Sequence, residues 1–225
     1  MNLPECVPIP EGTFVMGCCS DDKFGNSHEL PNVEVSIQSF ALAKHPVSEK
    51  EFAEFLGQDS ENPTLPLVNV SWHEASDYCH WLGDESGETY RLPTESEWEY
   101  ACRAGTTTPF PSGFMSSPEQ ANCYYDEMGN RIGVGKRLPR SWGQPNPFGL
   151  HDMLGNVCEW VEDDWVPDFE NLDPEGAAQR STTEMKVIRG GGWDSMPRLA
   201  RSSFRDFLSP SSRRDNLGFR VAKDL

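Results

Sequence analysis

The chain predicts an α+β fold of three short helices, a few short strands and long ordered loops, in one domain spanning residues 1–225. Three observations carry that prediction. Serine or threonine stands three residues before glutamate at three helix starts in the first half of the chain. Alternating apolar stretches lie near both ends. Between them 19 Gly and 18 Pro break up the chain, so regular elements must be brief. A length of 225 residues suits a single domain with a core large enough to need no disulfide staples.

Ser48-Glu49-Lys50-Glu51, Ser71-Trp72-His73-Glu74 and Thr94-Glu95-Ser96-Glu97 each fit the capping box. In that motif the hydroxyl and the carboxylate satisfy each other's orphaned backbone N–H groups at a helix start. Apolar residues follow at helical spacing: Phe52, Phe55 and Leu56, then Trp72, Ala75, Cys79 and Leu82, then Trp98, Ala101 and Cys102. Gly57 and Gly83 are expected C-terminal stops. Strand alternation is read at 13–16 and 33–37, and again at 186–189 and 218–222. Strands at the two ends are expected to pair and bring the termini together. Residues 104–185 show little periodicity, and such a stretch is expected to be ordered by a metal ion or by tight internal packing.

The formal net charge is −17, unevenly spread. Residues 1–100 hold 4 Lys/Arg against 19 Asp/Glu, residues 101–185 hold 6 against 13, and residues 186–225 hold 9 against 4. The acidic body disfavours nucleic acid and anionic membranes as partners. The basic C-terminal segment is expected to pair with that body, with an anionic partner as the alternative. No apolar run approaches the roughly 20 residues of a membrane span. No basic segment followed by an apolar one opens the chain, so a cytoplasmic location is expected, surface display through another protein being the alternative. There are 7 cysteines and no CxxC. Reduced thiols and no zinc site follow as expectations.

His73, Asp77 and His80 share a helical face, as a two-histidine, one-carboxylate iron site would require. Trp72, Ala75, Cys79 and Leu82 define the opposite, buried face, so the histidines are expected to point to water. No GxSxG occurs, and Gly190-Gly191-Gly192 lacks the Lys-Ser/Thr of a phosphate loop. Three glycines there are expected to let backbones approach closely. The segment from Asn146 to Trp160 interleaves oxygen donors with glycine turns. It reads either as a calcium loop using Asp152 and Glu159, or as turns held by Asx hydrogen bonds and anchored by Trp160.

Six motifs occur in order: Gly12-Thr13-Phe14-Val15-Met16-Gly17; Val70-Ser71-Trp72-His73-Glu74-Ala75; Tyr90 to Arg103; Phe148 to Trp160; Arg189-Gly190-Gly191-Gly192-Trp193; and Asn216-Leu217-Gly218-Phe219-Arg220. In these the chain resembles the formylglycine-generating-enzyme (sulfatase-modifying factor) family. The resemblance implies a C-type-lectin-like fold with a small antiparallel sheet joining the termini. It implies structural Ca2+ at Asp152, the Gly155 and Val157 carbonyls and Glu159, and a second calcium site starting at Asn122 and reaching Asp126. Cys79 and Cys102 match family disulfide cysteines, but Val221 replaces one expected partner.

The family enzyme oxidises a sulfatase cysteine using copper held by two thiolates, soft ligands for a soft ion. Here the first falls on Ser195 and the second has no counterpart. Copper is therefore not expected. A non-catalytic binding protein is, with an unknown protein or small molecule at residues 193–216, as in the variable proteins of diversity-generating retroelements. The expected ligand-binding residues are Trp193, Asp194, Ser195, Met196, Arg198, Arg201, Ser203, Arg205, Asp206, Phe207, Ser211 and Asp215. Small polar residues with occasional aromatics suit an adaptable surface. The alternative is an oxidoreductase related to the family enzyme or to iron-dependent sulfur-transferring oxidases. Those oxidases draw their histidines from an extra N-terminal domain, whereas this chain is read as starting at the family core.

Overall fold

All three capping boxes form, with both halves of each in place. They open α1 (Glu49–Phe55), α2 (Trp72–Ser86) and α3 (Glu95–Arg103). The structure, a computed structural model, describes residues 3–114 and 121–225. Gly57 follows α1 in a left-handed conformation, as expected of a stop. Gly83 does not stop α2. That helix runs one turn further and ends on left-handed Gly87. A side chain at Gly83 would meet the Glu88 carbonyl at 3.1 Å, so this glycine serves the chain's return rather than the helix end. His73, Asp77 and His80 are exposed, while Ala75, Tyr78, Cys79 and Leu82 are buried.

The strands are β1 (Cys6–Ile9), β2 (Gly12–Met16), β3 (Val33–Ile37), β4 (Phe40–Ala43), β5 (Tyr90–Arg91), β6 (Cys158–Asp164), β7 (Lys186–Arg189), β8 (Arg205–Leu208), β9 (Leu217–Phe219) and β10 (Ala222–Asp224). β2 and β3 form a separate hairpin. One sheet has the order β1-β4-β10-β5. The termini do meet in it, but not by pairing with each other: β4 lies between β1 and β10. Phe40, Ala41, Leu42 and Ala43 are all buried, so β4 shows no alternation by which to find it. The other sheet has the order β8-β7-β6-β9, antiparallel except where β9 runs parallel to β6.

The expected strand at 218–222 is split between the two sheets, with Arg220 at the crossing. Its guanidinium is fully buried and grips Glu159 through Nε and Nη2, each at 2.8 Å, while also donating to the Ala43 and His151 carbonyls. Two cores flank this clamp. One gathers around Trp98, Phe169 and Val161, the other around Tyr78, Trp160 and Phe219.

The long middle stretch is ordered by asparagine and aspartate side chains. Asn146 donates to the Ala101 carbonyl and accepts from the Phe148 and Leu150 N–H groups. Asn156 accepts from Leu138 N–H and donates back to the Leu138 carbonyl. Each such side chain replaces a backbone ladder with local hydrogen bonds, which satisfies the buried polar groups of a loop.

Candidate functional site

The chain leaves β7 through Gly190-Gly191-Gly192 and returns as β8, and the loop between them builds one wall of a cleft. Gly190 and Gly191 adopt φ of 89° and 70°. A Cβ on Gly190 would lie 2.9 Å from the Met153 carbonyl oxygen, and one on Gly191 would lie 2.6 Å from that of Leu199. Only glycine satisfies both the conformation and the approach. A tight turn follows, in which Gly192 N–H donates to Ser195 Oγ at 3.0 Å. Trp193 is tied on both sides: its backbone N–H donates to the Asn156 carbonyl and its indole to the Asp215 carbonyl.

The cleft has a volume of about 410 Å³. Ile188, Arg189 and Cys158 line it from the sheet, together with Asp194, Ser195, Met196, Arg198, Phe204, Asp206, Arg214 and Asn216. Tyr125 also lines it. The sequence-predicted Asp194, Ser195, Met196, Arg198 and Asp206 thus come together. Phe207, Ser211 and Asp215 are exposed outside the cleft, and Phe207 packs on Trp165 with ring centroids 4.5 Å apart.

Arg201, Ser203 and Arg205 require correction. They are 1%, 1% and 3% exposed and belong to the interior. Arg201 donates to Asp22 and to both carboxylate oxygens of Glu29, at 2.6–2.7 Å, and Ser203 Oγ adds a hydrogen bond to Glu29. Arg205 forks onto Glu95. Arg189 runs beside it, donating to Glu99 and to the Ser202, Ser203 and Phe204 carbonyls. These arginines hold the loop and do not present themselves to a ligand.

The expected calcium donors do not fit as a set. Both oxygens of Glu159 hold Arg220, and one also accepts the Trp98 indole N–H at 2.8 Å. That carboxylate is neutralised by a guanidinium within the protein. Asp152 accepts from Ser141 N–H, and burial raises its carboxyl above the usual range. At the second expected site, Asn122 gives its amide to the Lys136 carbonyl and to Asn156 Oδ1. Asp126 instead closes its own turn on Met128 and Asn130. Among the described residues no three His, Cys, Asp or Glu side chains converge as a metal group.

Cys158 is the residue the sequence reading missed. Strand alternation could have found it: Glu159 turns inward to Arg220, so its neighbour on β6 faces the other way, into the cleft. All seven cysteines are free, including Cys79 and Cys102. Burial pushes the Cys158 thiol up to about 12, and the nearby Asp194 and Asp206 push it the same way. Beyond the Arg198–Glu127 ion pair lies a second, more apolar groove of about 490 Å³, lined by Phe24, Phe110, Phe114 and Ile132. No helix among the described residues is long and apolar enough to cross a membrane.

Similarity to known proteins follows the same geometry. Serine/threonine-protein kinase pkn1 of Chlamydia pneumoniae is 30% identical over 99% of this chain but only 38% of its own length. The chain therefore spans little more than a third of that relative. The inactive Cα-formylglycine-generating enzyme 2 of Mus musculus is 29% identical over 97% of this chain and 85% of its own. The structure of PvdO from Pseudomonas aeruginosa matches with a TM-score of 0.91 and 31% identity, covering 99% of this chain and 95% of that one. Treponema denticola variable protein 1 shares the fold, with a TM-score of 0.83 and 21% identity over 98% and 95%. The sulfatase-modifying factor enzyme 1-like domain matches residues 1–225, and the chain belongs to that family.

Proposed function

We propose that this protein is a non-catalytic binding module whose ligand sits in the cleft beside β7 and β8. The observation that carries this reading is Ser195. It lines the cleft where the resemblance to the family enzyme puts its first copper-binding cysteine, and its Oγ is taken up by Gly192 N–H. The one cysteine among the residues lining the cleft, Cys158, is held as a thiol by burial, whereas soft-metal binding and nucleophilic attack use the thiolate. The mouse relative carries the word inactive in its name, which agrees with this reading. The finer form of the proposal is that the exposed positions of residues 194–216 vary between copies of the gene, as in a retroelement's variable protein.

A tryptophan at Ser195 would fill the cleft from its glycine-rich wall. Thermal-shift screening of a small-molecule library against the wild type and S195W tests the reading. Ligands that stabilise the wild type and fail on S195W support it. Stoichiometric copper in the purified protein, with cysteine-to-formylglycine turnover, would overturn it. Sequencing codons 194–216 across one cultured population tests the variable form, and a uniform sequence would count against it.

A further inference from the structure

Residues 186–225 contain nine Lys and Arg, and eight of them are ion-paired. Arg214 is the ninth, and it lines the cleft. Two carboxylates share that position. Asp194 and Asp206 are exposed, line the cleft and form no ion pair among the described residues. In a segment that otherwise pairs its cations so thoroughly, the side-chain charges without an ion pair among the described residues all line the cleft except Asp215. Those in the cleft carry both signs, with two carboxylates against one guanidinium.

A second observation points to a ligand. Asn216 is 9% exposed and lines the same cleft. Its amide nitrogen donates to Asp194 at 2.7 Å, but its Oδ1 is buried with no hydrogen-bond partner. Arg189, also lining the cleft, leaves its buried Nε–H unpartnered. Native proteins rarely leave such groups unsatisfied, because a buried polar group without a partner loses its hydration uncompensated. The cleft therefore offers exposed acceptors at Asp194 and Asp206 and an exposed donor at Arg214, and two buried unsatisfied atoms, Asn216 Oδ1 and Arg189 Nε, belong to residues of its lining.

We propose that the cleft binds an amine-bearing zwitterion of the basic amino-acid type, its ammonium groups facing Asp194 and Asp206 and its carboxylate facing Arg214. This rests on the binding reading above and adds the ligand's chemical class. The free carboxylates outnumber the free guanidinium by one, so a ligand with two ammonium groups and one carboxylate matches the local charge. The apolar Ile188, Met196 and Phe204 would cover the aliphatic stem of such a molecule.

The test titrates the whole protein by calorimetry with four probes: L-lysine, cadaverine, which lacks the carboxylate, 6-aminohexanoate, which lacks the α-ammonium, and glutarate, which has no ammonium. L-lysine is expected to bind about tenfold tighter than either cadaverine or 6-aminohexanoate, one charge-assisted hydrogen bond's worth. D206N weakens L-lysine by a similar factor. R214Q removes its advantage over cadaverine while leaving cadaverine unchanged. Lysine-terminated and internal-lysine peptides distinguish a free amino acid from a peptide chain end. Binding of glutarate in place of the ammonium probes, lost in S195W, overturns the ligand class and leaves the binding reading standing. No binding of any probe overturns the ligand class, and the S195W library screen then decides the binding reading separately.

Discussion

Arg201→Met is the sharpest test of whether the basic C-terminal segment braces the fold or serves the ligand. The Arg201 side chain is 1% exposed, and its partners Asp22 and Glu29 are 2% and 0% exposed. Methionine keeps much of the stem and removes the charge. Two carboxylates then remain buried side by side, with Ser203 Oγ and Asn26 Nδ2 as the side-chain donors left to Glu29. Removing one partner of a buried ion pair costs about 3–5 kcal/mol, because the partner's desolvation goes uncompensated. In a domain of this size each kcal/mol moves Tm by about 2–4 °C, so the expected loss is roughly 6–20 °C. Urea and thermal unfolding, followed by tryptophan fluorescence at pH 7, measure it. Arg214→Met in the same segment, exposed and without an ion pair, should change stability by no more than about 0.5 kcal/mol. An Arg201→Met loss below about 1 kcal/mol would refute the bracing argument and return Arg201 to the candidate ligand contacts.

Other outcomes follow from the same structure. Ser71→Ala removes the buried hydroxyl that caps α2 and should cost about 1 kcal/mol, read as a lower urea midpoint at unchanged slope. Burial, with Glu95 beside it, pushes the Asp163 carboxyl up to about 7. The folded state therefore binds that proton more tightly than the unfolded state. The contribution is complete below the ordinary carboxylate range and is lost as pH rises through about 7. Wild-type stability relative to Asp163→Asn should fall between pH 5 and pH 8, and a rise would contradict the assignment. Because Arg220 neutralises Glu159, excess EGTA should move Tm by less than about 1 °C. A drop of several degrees in calorimetry would restore calcium to the Asp152 loop. Asp206→Ala and Ser211→Ala, at exposed positions, should each stay within about 0.5 kcal/mol of wild type in urea unfolding.

The helix starts were legible because a capping box is local: Ser48, Ser71 and Thr94 need only the glutamate three residues on. Strand β7 at Lys186–Arg189 was legible from Val187 and Ile188 set between two cations, although the fold buries both of its faces. β4 was not, because burial on both sides erases alternation. The 218–222 stretch reads as one strand, and only the tertiary demand of Arg220 on Glu159 divides it between two sheets. At the site, the segment 193–216 supplies much of the cleft's lining, but which of its side chains are exposed was not legible. Arg198 and Arg201 look alike in sequence. What separates them is Glu29, 172 residues away from Arg201 and fully buried. Cys158 stayed hidden because its neighbours in the cleft come from β7, β8 and the loop after residue 190, none of them local to it.

The division of labour among the arginines connects stability to function. Arg189, Arg201, Arg205 and Arg220 reach from the C-terminal segment into carboxylates supplied by the N-terminal loop, α3 and β6. Each is nearly or wholly buried, so each fixes a backbone position at a large penalty for removal. The residues between them, Asp194, Ser195, Met196 and Asp206, hang from those fixed points and contribute little to the core. A surface built this way can exchange its exposed residues while the fold stands, because the buried groups that order the loop are not the exposed ones. The same arrangement accounts for the charge asymmetry of the sequence. An acidic body with a basic last segment is what results when eight cations of that segment are spent on internal pairs. The cleft is lined by three charges outside this pairing, Asp194, Asp206 and Arg214, which under the proposed binding reading are the ones that face a ligand.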